Sequence, residues 1–267
     1  FLSLDMRYII AIFLFAFTYL NAIAQSTYVP DDNFEQALIN LGYDNTLDDY
    51  VITANISNIN SLDVSNESIS DLTGIEDFND LSELLCHNNQ LTTLDVSNNN
   101  SLTKLYCYYN QINSININNN LVTLFCYNNQ ITNLDLSNNN NLTGLFCHNN
   151  QLTSLDLRNG NNSIISMFYA IGNSNLFCID VDDPSWSSSN WFGIDSWTSF
   201  GINCSPGSGY TYVPDDNFEQ KLISLGYDNF IDDYVITANI NTITNLDVSN
   251  ESIVDLTGIE DFLALNT

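Results

Sequence analysis

Positive charge is what this chain has least of. Four Lys+Arg stand against 32 Asp+Glu, a formal net charge of -28 over 267 residues. A surface this acidic repels phosphate backbones and anionic lipid, which excludes nucleic-acid binding. It keeps an exported protein soluble, and as a row of oxygen ligands it admits Ca²⁺ weakly. Histidine occurs twice, too seldom to build a zinc centre on imidazole. No nucleophile elbow, phosphate loop or HExxH motif appears, so an enzymatic reading has no local motif behind it. Proline is scarce, with four residues, while 44% of the chain is hydrophobic and 12% aromatic. That composition supports a continuous core despite the charge.

One long apolar run opens the chain. Arg7 precedes it, it extends from Ile9 to Tyr19, and Ala22-Ile23-Ala24 offers a small-residue cleavage site before Gln25. This is the pattern of an export signal over residues 1–24, too short and wrongly flanked for a membrane span. Residues 1–5 lie ahead of Met6 and read as upstream read-through. The segment is therefore set aside from the fold, and no membrane insertion is expected after cleavage.

What is abundant is repetition. The phrase Leu81-Ser-Glu-Leu84-Leu-Cys86-His-Asn-Asn89-Gln-Leu91 returns at 102–112, 121–131 and 142–152, with starts 21, 19 and 21 residues apart. Such periods belong to solenoids, whose units bury their apolar face only against neighbours. Each unit holds the phrase twice: Leu121 to Asn129 is followed by the echo Ile131 to Asn139. Leu124-x-Cys126 and Leu134-x-Leu136 mark two short strands per coil, apolar residues inward at period two. Asn89, Asn110, Asn129 and Asn150 are expected to stack and satisfy backbone groups of the buried turns.

A second, longer repetition frames the first. Residues 28–83 return as 212–267, with 43 of 56 positions identical, which indicates a tandem module. Each module opens with a predicted helix that starts at Pro30 and Asp31. Its apolar stripe is Phe34, Ala37, Leu38 and Leu41, and Gly42 stops it. The map is a cap with irregular first coils at 27–80, a repeat array at 81–177 and a closing cap at 178–204. A flexible linker follows at 205–211, then a second module at 212–267, truncated where its own array should begin. The last coil, from Ile164 to Asn175, reads as degraded, with Tyr169 in the Cys slot.

Leu-x-x-Leu-x-Cys-x-x-Asn-x-Leu with the nested Leu-Asp-Leu-x-x-Asn resembles the bacterial leucine-rich repeat of about 21 residues, Cys filling the third apolar slot. Three further stretches narrow the resemblance to secreted proteins of Bacteroidetes, marine flavobacteria in particular. They are Tyr28-Val-Pro-Asp-Asp-Asn-Phe-Glu-Gln36, Asp71-Leu-Thr-Gly-Ile-Glu-Asp-Phe78, and Cys178-Ile-Asp-Val-Asp-Asp183 through Cys204. The resemblance implies an α/β leucine-rich repeat fold, a right-handed, β-dominated solenoid with a short N-terminal capping helix. It also implies an extracellular or cell-surface address, binding rather than catalysis, and a sorting domain for type IX secretion C-terminal to residue 267.

Cys86, Cys107, Cys126 and Cys147 share the inward apolar slot, where Cys acts as a small hydrophobe, and in-register parallel strands suit disulfides poorly. Cys178 and Cys204 lie outside the array of an exported protein and are expected to pair. His87 and His148 point away from their neighbouring thiols and stand three coils apart, so no metal site is expected. Asp135 and Asp156 lie at a spacing open to a glycosidase pair, but a repeated phase gives both the same open surroundings. A flat Thr row, Thr92, Thr132 and Thr153 with Asn113 interrupting, is the ice-surface alternative. The favoured site is the outward side of the Cys-bearing strands. One row there reads Leu85, Tyr106, Phe125, Phe146 and Phe168, the next His87, Tyr108, Tyr127, His148 and Ala170. A bare aromatic stripe of this size suits an extracellular protein or glycan partner. The competing reading is that the rings only ladder on one another.

Overall fold

The computed structural model describes residues 25–204, 210–228, 230, 231 and 233–266. The export segment at 1–24 and residues 205–209 of the linker lie outside the described residues.

Asp31 begins the first element. Its Oδ1 accepts from the backbone N–H groups of Asn33 and Phe34, both at 3.0 Å, and so caps helix α1 (Asp32–Asn40). Its Oδ2 accepts from Ser70 N, Ser70 Oγ and Asp71 N, tying the helix start to the first coil. Phe34, Ala37 and Leu38 form the buried face. Leu41 does not join them: it follows the last helical turn and is 44% exposed, while Gly42 takes φ 81° to end the element. Beside the helix, β1 (Ser26–Tyr28) pairs antiparallel with β2 (Tyr50–Ile52). Glu35 is 0% exposed, its carboxylate accepting from the N–H groups of Asp48, Asp49 and Tyr50. This buried acid staples the loop entering β2. Helix α2 (Thr53–Ile56) leads from β2 toward the first coil.

From there the chain winds into coils. Strands β3 (Ser61–Asp63), β4 (Glu83–Leu85), β6 (Lys104–Tyr106), β8 (Thr123–Phe125), β10 (Gly144–Phe146) and β12 (Met167–Tyr169) make one parallel sheet. A second flank is built by the echo phrase. There β5 (Thr93–Asp95) pairs with β7 (Ser114–Asn116), and β9 (Asn133–Asp135), β11 (Ser154–Asp156), β13 (Cys178–Asp180) and β14 (Ser199–Gly201) pair in turn. The flank is interrupted between β7 and β9, in the 19-residue unit. Asn118 there follows Ile117 directly, whereas Asn99 stands three residues after Val96. The shortened turn opens a surface cleft beside Ile115, Asn116 and Asp135.

Register follows the sequence pattern closely. Leu84, Leu105, Leu124, Leu145 and Phe168 lie side by side. Val64, the four array cysteines and Ala170 form the next inward row, all essentially buried. The array cysteines are unpaired thiols.

Two asparagine ladders hold the coils together. In the expected one, Asn129 Nδ2 donates to the carbonyls of Cys107 and Cys126 at 3.0 Å, and its Oδ1 accepts from Ile112 N at 2.9 Å. Asn89, Asn110 and Asn150 repeat this, and Asn173 extends it. The other ladder runs Asn99, Asn118, Asn139 and Asn159 at the opposite corner. Both close backbone groups that a tight corner would otherwise bury unpaired.

The last coil corrects the sequence reading. The unit starts at Ile165, not Ile164, because a 3₁₀ turn at Asn162–Ile164 absorbs extra residues. Ala170 therefore fills the Cys slot and Tyr169 faces outward. Phe168 pairs with Leu145 on the inner side and stacks on Trp191 at 4.4 Å. The cap that follows adds helix α3 (Pro184–Asn190), started by Asp183, and a bond between Cys178 and Cys204 with Cα atoms 5.6 Å apart.

The second copy repeats the opening: β15 (Tyr210–Tyr212), helix α4 (Asp216–Ser224), β16 (Tyr234–Ile236) and helix α5 (Thr237–Ile240). Its own small core gathers around Val213, Phe218, Leu222 and Val235.

Candidate functional site

Strand alternation turns every second side chain of the six-stranded sheet to the outside. The outer row is Asp63, Leu85, Tyr106, Phe125, Phe146 and Tyr169, aligned by the ladder register. Two residues further along each strand come His87, Tyr108, Tyr127, His148 and Ile171. The structure thus brings together seven of the eight proposed ligand-binding residues: His87, Tyr106, Tyr108, Phe125, Tyr127, Phe146 and His148. Phe168 belongs to the core side, and Tyr169, exposed, takes its place in the row. The signal that could have found Tyr169 is the asparagine spacing: Asn173 follows Ala170 by three, as Asn150 follows Cys147.

The rings are ordered against one another. His87, Tyr108, Tyr127 and His148 form one stack, with centroids 4.4, 4.5 and 4.4 Å apart and planes 19°, 5° and 9° from parallel. Tyr169 meets the end of that stack edge-on at 5.1 Å. In the other row Phe125 and Phe146 stack at 4.5 Å, and Tyr106 abuts Phe125 at 76°. Tyr108 and Tyr127 thus have ring neighbours on both faces, His87, His148 and Phe146 on one, and the exposed Tyr109 ring lies perpendicular beside Tyr108 and Tyr127 at 5.8 and 5.6 Å. Burial in the stack pushes the Tyr108 and Tyr127 phenols above their ordinary value and His148 below its own, which favours the uncharged ring in each. Charge is sparse on this side: Lys104 pairs with Glu83 at 3.5 Å beside the rows.

The remaining candidates resolve into structural parts. Burial pushes the thiols of Cys86 and Cys126 up to about 12, and Cys107 and Cys147 well above the ordinary value. Such thiols are protonated packing groups at neutral pH. The Asp row caps turns: Asp95 accepts from Ser97 N and Oγ, Asp135 from Ser137 N, and Asp156 from Arg158 N and the Arg158 guanidinium. Asp135 and Asp156 do align across β9 and β11. The bond from Arg158 holds the Asp156 carboxyl below its usual range, the opposite of what a general acid needs. Thr153 Oγ1 donates to the Thr132 carbonyl, a bond along the solenoid wall. Among the described residues one set of carboxylates has metal-like spacing, Asp216, Glu219 and Asp233, with oxygens within 4.8 Å of one another. Glu219 is buried there and accepts from Tyr234 N, as Glu35 does in the first copy. No helix among the described residues is long and apolar enough to cross a membrane.

The stacked coils, the two strands per turn and the asparagine corners define a leucine-rich repeat solenoid. In sequence and shape it is similar to internalins of Listeria monocytogenes. A stretch of 70 residues, 26% of this chain and 8% of the relative, is 39% identical to internalin J. A functional domain of internalin J that includes a cysteine ladder superposes with a TM-score of 0.49 at 30% identity, over 59% of this chain and 38% of that domain. An internalin (inlF) of the same species gives a TM-score of 0.38 at 18% identity, over 90% and 81%. The chain thus spans well under half of the internalin J domain. No protein-family model matches it.

Proposed function

We propose that this chain is a secreted or cell-surface binding protein, without catalytic activity, that grips an extracellular protein through the aromatic side of the six-stranded sheet. The observation that carries this reading is the double row of rings from His87 to Phe146, continued by Tyr169, against whose side Gly193 of the cap packs. Apolar rows of this length seldom face water without a partner, and aromatic residues dominate binding hot spots. The ring geometry favours a protein over a glycan. Sugars stack on ring faces, and here the faces of Tyr108, Tyr127 and Phe125 are taken by neighbours. What remains are ring edges, phenol hydroxyls and the exposed rings of Tyr109 and Tyr169, which suit an apolar protein surface with a few hydrogen-bonding groups. The export pattern at 1–24 supports the address, and the likeness to internalin J supports binding as the task.

The test is photo-crosslinking. With benzoylphenylalanine at Tyr106, Phe125 or Phe146, the chain is expected to capture a protein partner from the extracellular fraction. The same probe at Asn133 on the other flank should capture none. Changing Tyr106, Phe125 and Phe146 together to Ser should abolish binding of that partner with the far-UV circular dichroism intact. Survival of binding through that triple change sinks the assignment, and capture of polysaccharide instead would reverse the choice of partner.

A further inference from the structure

The two copies of the opening module differ at a small set of positions, and two of these lie against the cap that precedes the second copy. Where the first copy has Ser26 and Thr46, the second has Tyr210 and Phe230. Tyr210 Oη donates to the Phe177 carbonyl at 2.6 Å and lies 3.4 Å from Ser199 Oγ, and its ring is 5.9 Å from that of Phe177. Phe230 meets Trp197 edge-on, with centroids 5.7 Å apart and planes at 90°. A cleft of about 190 Å³ lined by both sides runs along this seam. In the first copy the equivalent groove, bordered by Ser26, Asp44, Thr46 and Tyr50, is wider, about 390 Å³, and among the described residues has no cap against it.

We infer that successive modules are joined by a socket, in which the Phe177–Trp197 surface of one cap seats against Tyr210 and Phe230 of the next module. The tandem is then a jointed rod with a set angle, and the five residues at 205–209 are not what fixes its geometry. The substitutions account for the selectivity of the joint. A serine at position 26 has no ring and cannot reach a carbonyl as far as a phenol does, and threonine at position 46 offers Trp197 no aromatic partner. The module starting at residue 28 lacks both groups of the socket, and the one starting at 212 has them. Two modules held at a set angle also present their sheets in a defined relation, which a bivalent partner would read as effective concentration.

The experiment copies the first module into the second. Tyr210→Ser with Phe230→Thr in the whole chain installs residues that the first copy already tolerates, so the second copy is expected to keep its fold. With 5-fluorotryptophan at Trp186, Trp191 and Trp197, the ¹⁹F resonance of Trp197 should shift toward its solvent-exposed value while the other two stay. Small-angle scattering should show a broader distance distribution. Trp197→Ser assigns the resonance and loosens the joint from the other side, giving the same change in scattering should the double variant lose helix content. An unmoved Trp197 resonance together with an unchanged scattering curve overturns the socket.

Discussion

Two stretches of nearly the same sequence, 28–83 and 212–267, sit in different surroundings, and their differences separate what is written locally from what stacking supplies. The helix caps agree: Asp31 and Asp215 each accept from the second and third residues onward at 2.9–3.0 Å. Thr27 and Thr211 donate to Asp77 and Asp261 at 2.5 and 2.6 Å. The coils disagree. Leu72 is 5% exposed and Leu81 0%, but their counterparts Leu256 and Leu265 are 43% and 36% exposed. Ser61–Asp63 is a strand, and residues 245–247 are not. The reason lies one coil further on. Leu85 and His87 accept the N–H groups of Val64 and Asn66, and among the described residues the second copy has no following coil to do so. Helix, hairpin and cap are local; the strand is made by its neighbour.

The largest effect expected from this contrast is in alkali. Burial pushes the thiols of Cys86 and Cys126 up to about 12, against an ordinary 9.0, and those of Cys107 and Cys147 well above the ordinary value. A thiol held protonated by the fold stabilises it fully below the unfolded value. That contribution is lost as pH rises from about 9 toward 12. The second copy contains no cysteine. Backbone amide signals of the array should therefore vanish before those of α4 and β16 as pH is raised, and a thiol reagent should react with the array only as it opens. Simultaneous loss of both regions would show that the thiols do not set the order.

Next in size is Asn89→Ala. Asn89 accepts from Glu67 N and Ile69 N and donates to the Val64 and Cys86 carbonyls. Its loss takes a bond from each of four backbone groups at a buried corner, of which the Cys86 carbonyl keeps Asn110 Nδ2, a cost of about 3 kcal/mol. Denaturant midpoints would read the total. Hydrogen exchange should show residues 64–69 coming to resemble 248–253, and protection unchanged there would mean that the corner is held by packing alone.

How much of this was legible in the sequence follows the same division. The inward row was readable because Leu-x-Cys alternation at a fixed period has one solution as stacked strands. Phe168 was misplaced because the 3₁₀ turn at Asn162–Ile164 changes the period with no distinctive residue at the turn itself, and only Asn173, further along, marks the shift. Glu35 lies outside the apolar stripe of its helix, and its burial depends on the Asp48–Tyr50 loop folding back, which periodicity does not encode. The aromatic rows were visible from alternation, but the direction of each ring was not. Whether faces or edges meet water depends on side-chain torsions set by the rings on either side, and it is that detail which bears on the kind of partner.

The smallest effect is also the sharpest test of the comparison, since it concerns one hydroxyl. Asp31 Oδ2 accepts from Ser70 N, Ser70 Oγ and Asp71 N, whereas Asp215 Oδ2 accepts from the N–H groups of Val254 and Asp255, valine having no hydroxyl to offer. Burial would raise the Asp31 carboxyl, and the bonds from Ser70, Phe34 and Asp71 outweigh it and hold the group below 3.8. Its contribution to stability is present above that value and is lost as pH falls below it. Asp31→Ala should cost about 2 kcal/mol, read from denaturant unfolding at neutral pH, with a smaller loss for Asp215→Ala. Ser70→Val, which installs the residue of the second copy, should cost about 1 kcal/mol and raise the acid midpoint of the first helix toward that of the second. If Ser70→Val leaves both copies as they were, the hydroxyl contributes nothing, and the difference between the two helix starts must come from the coils stacked beneath the first.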